Sequence, residues 1–273
     1  MVIVAIALAF FEYRPLGIQS KLARFIGSNQ LLQSIEESSL FPPPLRASLG
    51  ARLGELTQAG TLEWTNFERK QNNLSELKSN ELLNQTAKKK LADMFEKQYF
   101  EHVSPSGAGP SDLAKSVGYA YVVVGENLAL GHFESDKALV EAWMNSPGHR
   151  ANILNTRYSE IGIAVGKGTF EGKEQWLAVQ SFGLPLSACP ATDQDLKTQL
   201  DQNQLEISSL QSQLTVLKAE IDSNDKQNNK EYNNKVNRYN SLVARMNSLI
   251  DQTKVLVEQY NAQVNNFNDC LKE

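Results

Sequence analysis

Hydrophobic residues in the middle of the chain recur at helical spacing in two places. In the first stretch, residues 79–100, one apolar face is formed by Leu83, Ala87, Leu91, Met94 and Phe95. In the second, residues 135–145, Leu139, Val140 and Trp143 share one side. Ser79 and Ser135 stand at the starts of these stretches, where a serine side chain can cap a helix. Two amphipathic helices are therefore predicted.

Three shorter runs have the composition of buried strands. Residues 121–124, 161–165 and 176–180 are rich in β-branched and aromatic side chains and are bounded by glycine or polar residues. The glycine-rich segment 166–174 lies between the last two runs and predicts a hairpin. Helices first, strands interspersed and a final hairpin predict an α+β layered fold with an antiparallel sheet.

The pattern changes to heptads in residues 192–269, which contain no glycine and no proline. Two apolar series with alternating spacings of three and four residues are separated by the polar segment 223–231. Asn203 takes one position in the first series, and Tyr232, Tyr239 and Tyr260 lie in the second. Residues 190–273 are therefore predicted to form an antiparallel coiled-coil hairpin, with Asn203 fixing its register.

The two cysteines stand at the two ends of this hairpin. Cys189 precedes the first predicted helix and Cys270 ends the second, so an antiparallel arrangement brings them together. A disulfide is predicted, and with it an oxidising compartment. Two unrelated buried thiols are the alternative.

The first 20 residues are predicted to be a hydrophobic membrane or signal segment, and Met1 is interpreted as lying inside a longer one. The apolar run of eleven residues is too short to span a bilayer, and a buried core helix is the alternative. Residues 21–60, with the run Phe41-Pro42-Pro43-Pro44, are interpreted as a linker. The net charge of -4 gives no sign of nucleic-acid binding. Lys88, Lys89 and Lys90 are interpreted as a solvated helix face.

The candidate chemistry lies at the ends of helices and strands. His149 follows Ser146-Pro147-Gly148, which predicts a short helix with the histidine in its first turn, where the helix dipole disfavours protonation. A neutral imidazole can bind a metal or accept a hydrogen bond, and a packing histidine is the alternative. His102, Glu126 and Glu160 also stand at element ends and could converge with it.

Several motifs in residues 61–186 resemble the bacterial branch of the CAP superfamily, the SCP-like group. They are YFEHVSPSG, GENLALG, WMNSPGHRANIL, YSEIGIAVGKG and WLAVQSFG, and they come in the family's order. The resemblance implies a three-layer α-β-α sandwich, secretion, and a cleft lined by two histidines and two acidic residues. His102, Glu126 and His149 match three of these positions. Glu160 is our candidate for the fourth, because Ser146 stands where eukaryotic members carry glutamate.

The function expected from this resemblance is that of a secreted or membrane-tethered extracellular binding module rather than an enzyme. The cleft would bind a lipid- or glycan-like ligand and a divalent metal such as zinc, with His102 and His149 as metal ligands. No GxSxG or HExxH motif is present. One alternative is a metal-assisted hydrolase with Glu126 or Glu160 as base. Another is an adhesive protein that binds a cell-surface partner through its coiled-coil hairpin.

Overall fold

A computed structural model describes residues 40–223 and 230–272. These residues form two compact units that divide after Ala188. The predicted membrane or signal segment, residues 21–39 of the predicted linker, and most of the predicted polar tip lie outside the described residues. Within the described ranges, no helix is both long enough and apolar enough to cross a bilayer.

The first unit contains a five-stranded sheet with the strand order β1-β3-β5-β4-β2. Its strands are β1 (Leu45–Arg46), β2 (Lys78–Ser79), β3 (Tyr121–Gly131), β4 (Glu160–Phe170) and β5 (Lys173–Pro185). The three long strands pair antiparallel, and the two short outer strands run parallel to their neighbours. The predicted β4–β5 hairpin is confirmed. Its turn is shorter than expected, because Glu171 and Gly172 alone make it, both with positive φ.

Five helices flank this sheet in the described part of the first unit. They are α1 (Gln58–Gln71), α2 (Glu81–Lys97), α3 (Pro110–Ser116), α4 (Asp136–Met144) and α5 (Pro147–Ile153). Ser135 caps α4 as predicted, since its hydroxyl accepts from the Ala138 N–H at 3.2 Å. The predicted Ser79 cap of α2 is wrong. Ser79 ends β2, and the Asn80 side chain accepts from the Leu82 and Leu83 N–H groups instead.

The helices cover both faces of the sheet, so the expected three-layer α-β-α sandwich is confirmed. On one face, residues of α1, α4 and α5 pack on Ile161, Ile163, Ala178 and Phe182. On the other face, Ala87 and Met94 of α2 pack on Leu128, Ala164 and Val179. Burial of these apolar side chains is the main favourable contribution to folding.

Residues 40–60 are part of this folded unit, although the sequence analysis assigned them to a linker. Leu45 and Arg46 form β1 on the edge of β3, and the Gly54 carbonyl accepts from the indole N–H of Trp176 at 3.0 Å. Leu45 and the buried Leu56 also pack against the hydrophobic core, so backbone pairing and side-chain burial together hold the segment.

The second unit consists of two helices, α6 (Gln194–Ser223) and α7 (Lys230–Lys272). They run antiparallel, because residues near the start of α6 contact residues near the end of α7. The amide of Asn203 donates to the Thr253 hydroxyl at 3.0 Å, and the predicted disulfide between Cys189 and Cys270 is confirmed. The buried apolar residues of α6 all belong to the first heptad series. The supercoiled packing of a coiled coil stays a prediction.

Candidate functional site

His102 and Glu126 form a close pair on the sheet face that α2 covers. Glu126 lies in β3 and is fully buried, and its Oε1 lies 2.7 Å from His102 Nδ1. His102 lies in the loop between α2 and α3. Its other ring nitrogen, Nε2, lies 2.6 Å from the backbone carbonyl oxygen of Pro42.

The two contacts of the His102 ring determine where its protons lie. A carbonyl oxygen can only accept, so Nε2 carries a hydrogen and donates it to Pro42. The short contact between Nδ1 and the Glu126 carboxyl group requires one more proton between them. Whichever partner holds that second proton, the Glu126 side chain orients the ring, and Nε2–H points away from Glu126 as a donor.

His149 lies close to the same pair, in the first turn of α5. Its Nδ1 lies 2.8 Å from the hydroxyl of Ser146, and the residue is 1% exposed. Burial, and to a lesser degree the nearby His102, lower the pKa of His149 to about 4, while the Leu128 carbonyl partly opposes the shift. The imidazole is therefore neutral at pH 7, as predicted, although burial rather than the helix dipole is the main cause.

Glu160 belongs to a different polar group. Its Oε2 accepts from the Tyr119 hydroxyl at 2.8 Å and from the Asn80 amide at 3.1 Å. Burial, and then the Glu160 carboxylate, raise the pKa of Tyr119. In the sheet register, Glu126 pairs with Ser181 of β5, and Glu160 of β4 pairs with Gly183. Two strand spacings and two residues of rise separate the two glutamate backbones by about 12 Å. The structure thus pairs His102 with Glu126 and places His149 near His102, while Glu160 lies apart.

Lys90 is a residue of this site that the sequence analysis misassigned. It lies in α2, and its side chain is fully buried rather than solvated. The ammonium group donates to the Glu101 carbonyl at 2.6 Å, the His102 carbonyl at 2.7 Å and the Tyr99 hydroxyl at 3.1 Å. Burial lowers the pKa of Lys90, and the charge of Glu126 opposes that shift. Lys90 therefore fixes the loop that carries His102.

A short segment of the supposed linker covers the His102 ring. We name residues 40–42 the strap. The Pro42 carbonyl accepts from His102, the Leu40 carbonyl accepts from the Asn152 amide at 2.9 Å, and the Phe41 ring centroid lies 5.7 Å from that of His102. Pro42 is buried. Because the strap bonds through backbone carbonyls, nothing in its side chains predicted this position.

Comparison with known proteins identifies the first unit. Residues 62–182 match the model of the cysteine-rich secretory protein family, CAP. These residues form a CAP domain. The match agrees with the resemblance found in residues 61–186, and it includes β3, β4 and all but the last three residues of β5.

Two proteins of Bacillus subtilis (strain 168) are similar to the CAP domain. The uncharacterized protein YkwD is 44% identical over 102 residues, which are 37% of this chain and 39% of YkwD. The uncharacterized membrane protein YlbC is 32% identical over 106 residues, 39% of this chain and 30% of YlbC. The chain thus spans well under half the length of both relatives.

Solved structures give weaker similarities. An extracellular protein containing an SCP domain from Bacillus anthracis str. Ames is 27% identical with a TM-score of 0.40, over 46% of this chain and 39% of that chain. An outer surface protein from Borrelia burgdorferi is 24% identical with a TM-score of 0.40, over 45% of this chain and 89% of that chain.

Zinc coordination in the CAP domain would require His102 to give up one of its two hydrogen bonds. Both ring nitrogens of His102 are engaged, one by Glu126 and one by Pro42. Among the described residues, no group of three or more His, Cys, Asp or Glu side chains is placed to hold a metal ion. Zinc binding at His102 and His149 therefore stays a prediction.

Proposed function

We propose that this chain is an extracellular binding module, secreted or tethered to a membrane, whose CAP cleft binds a lipid- or glycan-like ligand. One observation carries the proposal: His102 Nε2–H is a fixed donor that already holds an oxygen acceptor, the Pro42 carbonyl. A ligand oxygen, from a hydroxyl or a carbonyl, would bind to the same hydrogen. Lipid headgroups and glycans both supply such oxygens.

The groups around His102 suit binding. Glu126 holds the ring through Nδ1, and Lys90 holds the backbone of the loop. The second carboxyl oxygen of Glu126 is buried and has no hydrogen-bond partner. Because an unsatisfied buried acceptor is costly, a ligand that donates a hydrogen bond to this oxygen gains affinity.

The disulfide supports the extracellular part of the proposal. Bonds such as Cys189–Cys270 form and persist in oxidising compartments and are rare in reducing ones. The membrane tether rests on the apolar residues at the start of the chain, which lie outside the described residues.

Zinc is part of this proposal as a second occupant of the cleft. His102 would have to exchange its hydrogen bond to Pro42 for the ion, and His149 would supply the second nitrogen. Equilibrium dialysis of the full chain against zinc, followed by metal analysis, tests this. Absence of bound zinc at micromolar concentration would exclude both the metal site and the hydrolase alternative, which depends on it.

Native mass spectrometry of the full chain, purified from the secreting cells, tests the binding function. We expect an adduct with the mass of a lipid or glycan in the wild type, and its loss in His102→Ala. His132→Ala is the matched control, because the ring of His132 bonds the Ala51 and Glu174 carbonyls and takes no part in the cleft. Equal adducts in both variants would contradict the proposal. So would a robust hydrolytic rate that is lost in His149→Ala.

A further inference from the structure

The strap is seated on the group that the proposed ligand would use. The Pro42 carbonyl takes the only hydrogen of His102 Nε2, the Phe41 ring lies against the imidazole, and the Leu40 carbonyl is held by Asn152. While these contacts exist, no external oxygen can bind His102 Nε2. The strap and an external ligand therefore exclude one another from the cleft.

We propose that the strap is a plug built into the chain, which closes the CAP cleft by placing the Pro42 carbonyl where the ligand oxygen binds. The inference rests on the proposed function, since it adds the regulation of the same cleft. An external ligand binds only after residues 40–42 have moved away. Anything that pulls on the chain before β1 then controls access to His102.

The hydrogen bonds that hold the strap in the cleft are of a kind that a ligand can replace. Its two hydrogen bonds to the cleft are accepted by backbone carbonyls, from His102 and Asn152. When the strap leaves, both groups can donate the same hydrogen bonds to a ligand oxygen, and no polar side chain of the strap loses a partner. The consecutive prolines 42–44 restrict the segment to extended conformations. This stiffness lowers the entropy lost when the strap binds.

Gly148 gives independent support, because its lack of a side chain makes room for the strap. A Cβ at Gly148 would lie 2.5 Å from the Cβ of Pro42, and the other atoms close to it also belong to Pro42. Gly148 lies in α5, where alanine is the better helix former. The α5 backbone does not itself need a glycine here, so the strap accounts for the glycine at this position.

This close approach supplies a variant that acts on the strap alone. In Gly148→Ala the new methyl group collides with Pro42 and should displace the strap, while His102, Glu126 and Lys90 keep their contacts with one another. Adding Pro42→Gly removes the Cβ and the ring that collide, so the double variant should let the strap return. Phe41→Ser, which removes the ring contact with His102, is a second way to loosen the strap without changing α5.

Modification of His102 by diethyl pyrocarbonate, followed by peptide mass spectrometry on the full chain, measures opening directly. The reagent needs a ring nitrogen with a free lone pair. Nε2 has none while its hydrogen is held by the Pro42 carbonyl, and once the strap has moved away that hydrogen can dissociate to water and leave the lone pair exposed. We expect the modification rate of His102 to rise about tenfold in Gly148→Ala, and to fall back in the double variant. Phe41→Ser should also raise it. Modification of His132 should stay constant and serves as the folding control.

The outcomes separate this inference from the proposed function. If His102 stays protected in both Gly148→Ala and Phe41→Ser, the plug is refuted, whatever ligand the cleft binds. If His102 becomes reactive in these variants and is again protected in the double variant, the plug is supported. In that case, native mass spectrometry of the opened variants tests the proposed function separately. Absence of a lipid or glycan adduct from these variants would refute the proposed function but not the plug.

Discussion

Replacing Lys90 by methionine should both destabilise the CAP domain and release His102. Methionine keeps an unbranched side chain of similar length in the core, but it removes the ammonium group and its three hydrogen bonds. Two of these bonds are accepted by the consecutive carbonyls of Glu101 and His102. No donor in methionine can replace them.

The size of the effect follows from opposing contributions. Hydrogen bonds from a charged donor contribute about 1.5–3 kcal/mol each, but burying the ammonium costs free energy that methionine does not. Water can also reach a loop that has become mobile and bind its carbonyls. We therefore expect the free energy of unfolding to fall by about 2–3 kcal/mol rather than by the sum of three bonds.

Urea unfolding followed by tryptophan fluorescence measures this, since Trp143 and Trp176 are buried in the domain. Lys89→Met is the matched control. Lys89 is the neighbouring lysine, and it is exposed with a single bond to the Ser116 hydroxyl, so a change below about 0.5 kcal/mol is expected. Diethyl pyrocarbonate modification of His102 should also be faster in Lys90→Met. If Lys90→Met is as stable as Lys89→Met and His102 is equally protected, Lys90 does not position the loop.

Three further predictions concern other groups. Because His149 has a pKa of about 4 when folded against 6.5 as the reference value, the unfolded state binds a proton that the folded state does not. Above pH 6.5, His149 should therefore leave the free energy of unfolding of the metal-free protein unchanged. As the pH drops from 6.5 to 4, that free energy should fall by up to about 3 kcal/mol. Urea titrations at several pH values measure this, and the same pH slope in His149→Gln would contradict it. Cys189→Ser should lower the stability of the helix pair by about 4 kcal/mol, because the bond to Cys270 closes a loop with a sequence separation of 81; circular dichroism melting tests it, and an unchanged melt would refute it. Glu160→Gln should lower the pKa of Tyr119, measured by ultraviolet titration, yet leave the mass-spectrometric adduct unchanged; loss of the adduct would return Glu160 to the ligand site.

Local patterns in the sequence were sufficient for much of the architecture. The apolar face of α2, the Ser135 cap of α4 and the β4–β5 hairpin depend on residues a few positions apart. Spacing along the chain therefore predicts them. The disulfide was also predictable, since the heptads and the polar segment required two antiparallel helices, and Cys189 and Cys270 stand at their ends. His102, Glu126 and His149 were identified because their motifs resemble a known family.

The tertiary structure alone decided which polar groups meet. Lys90 lies in the apolar stripe of α2, three residues after Ala87 and four before Met94, but its burial depends on carbonyls of the loop that folds over it. In the sequence, Glu160 and Glu126 looked equivalent. In the structure, the central strand β5 lies between their strands, and Glu160 accepts a hydrogen bond from Tyr119 instead of contacting His102. The Pro42 carbonyl meets His102 across 60 residues of chain. A backbone carbonyl is present at every residue, so no sequence pattern marks the one that a buried histidine selects, and only the packing of the whole domain does so.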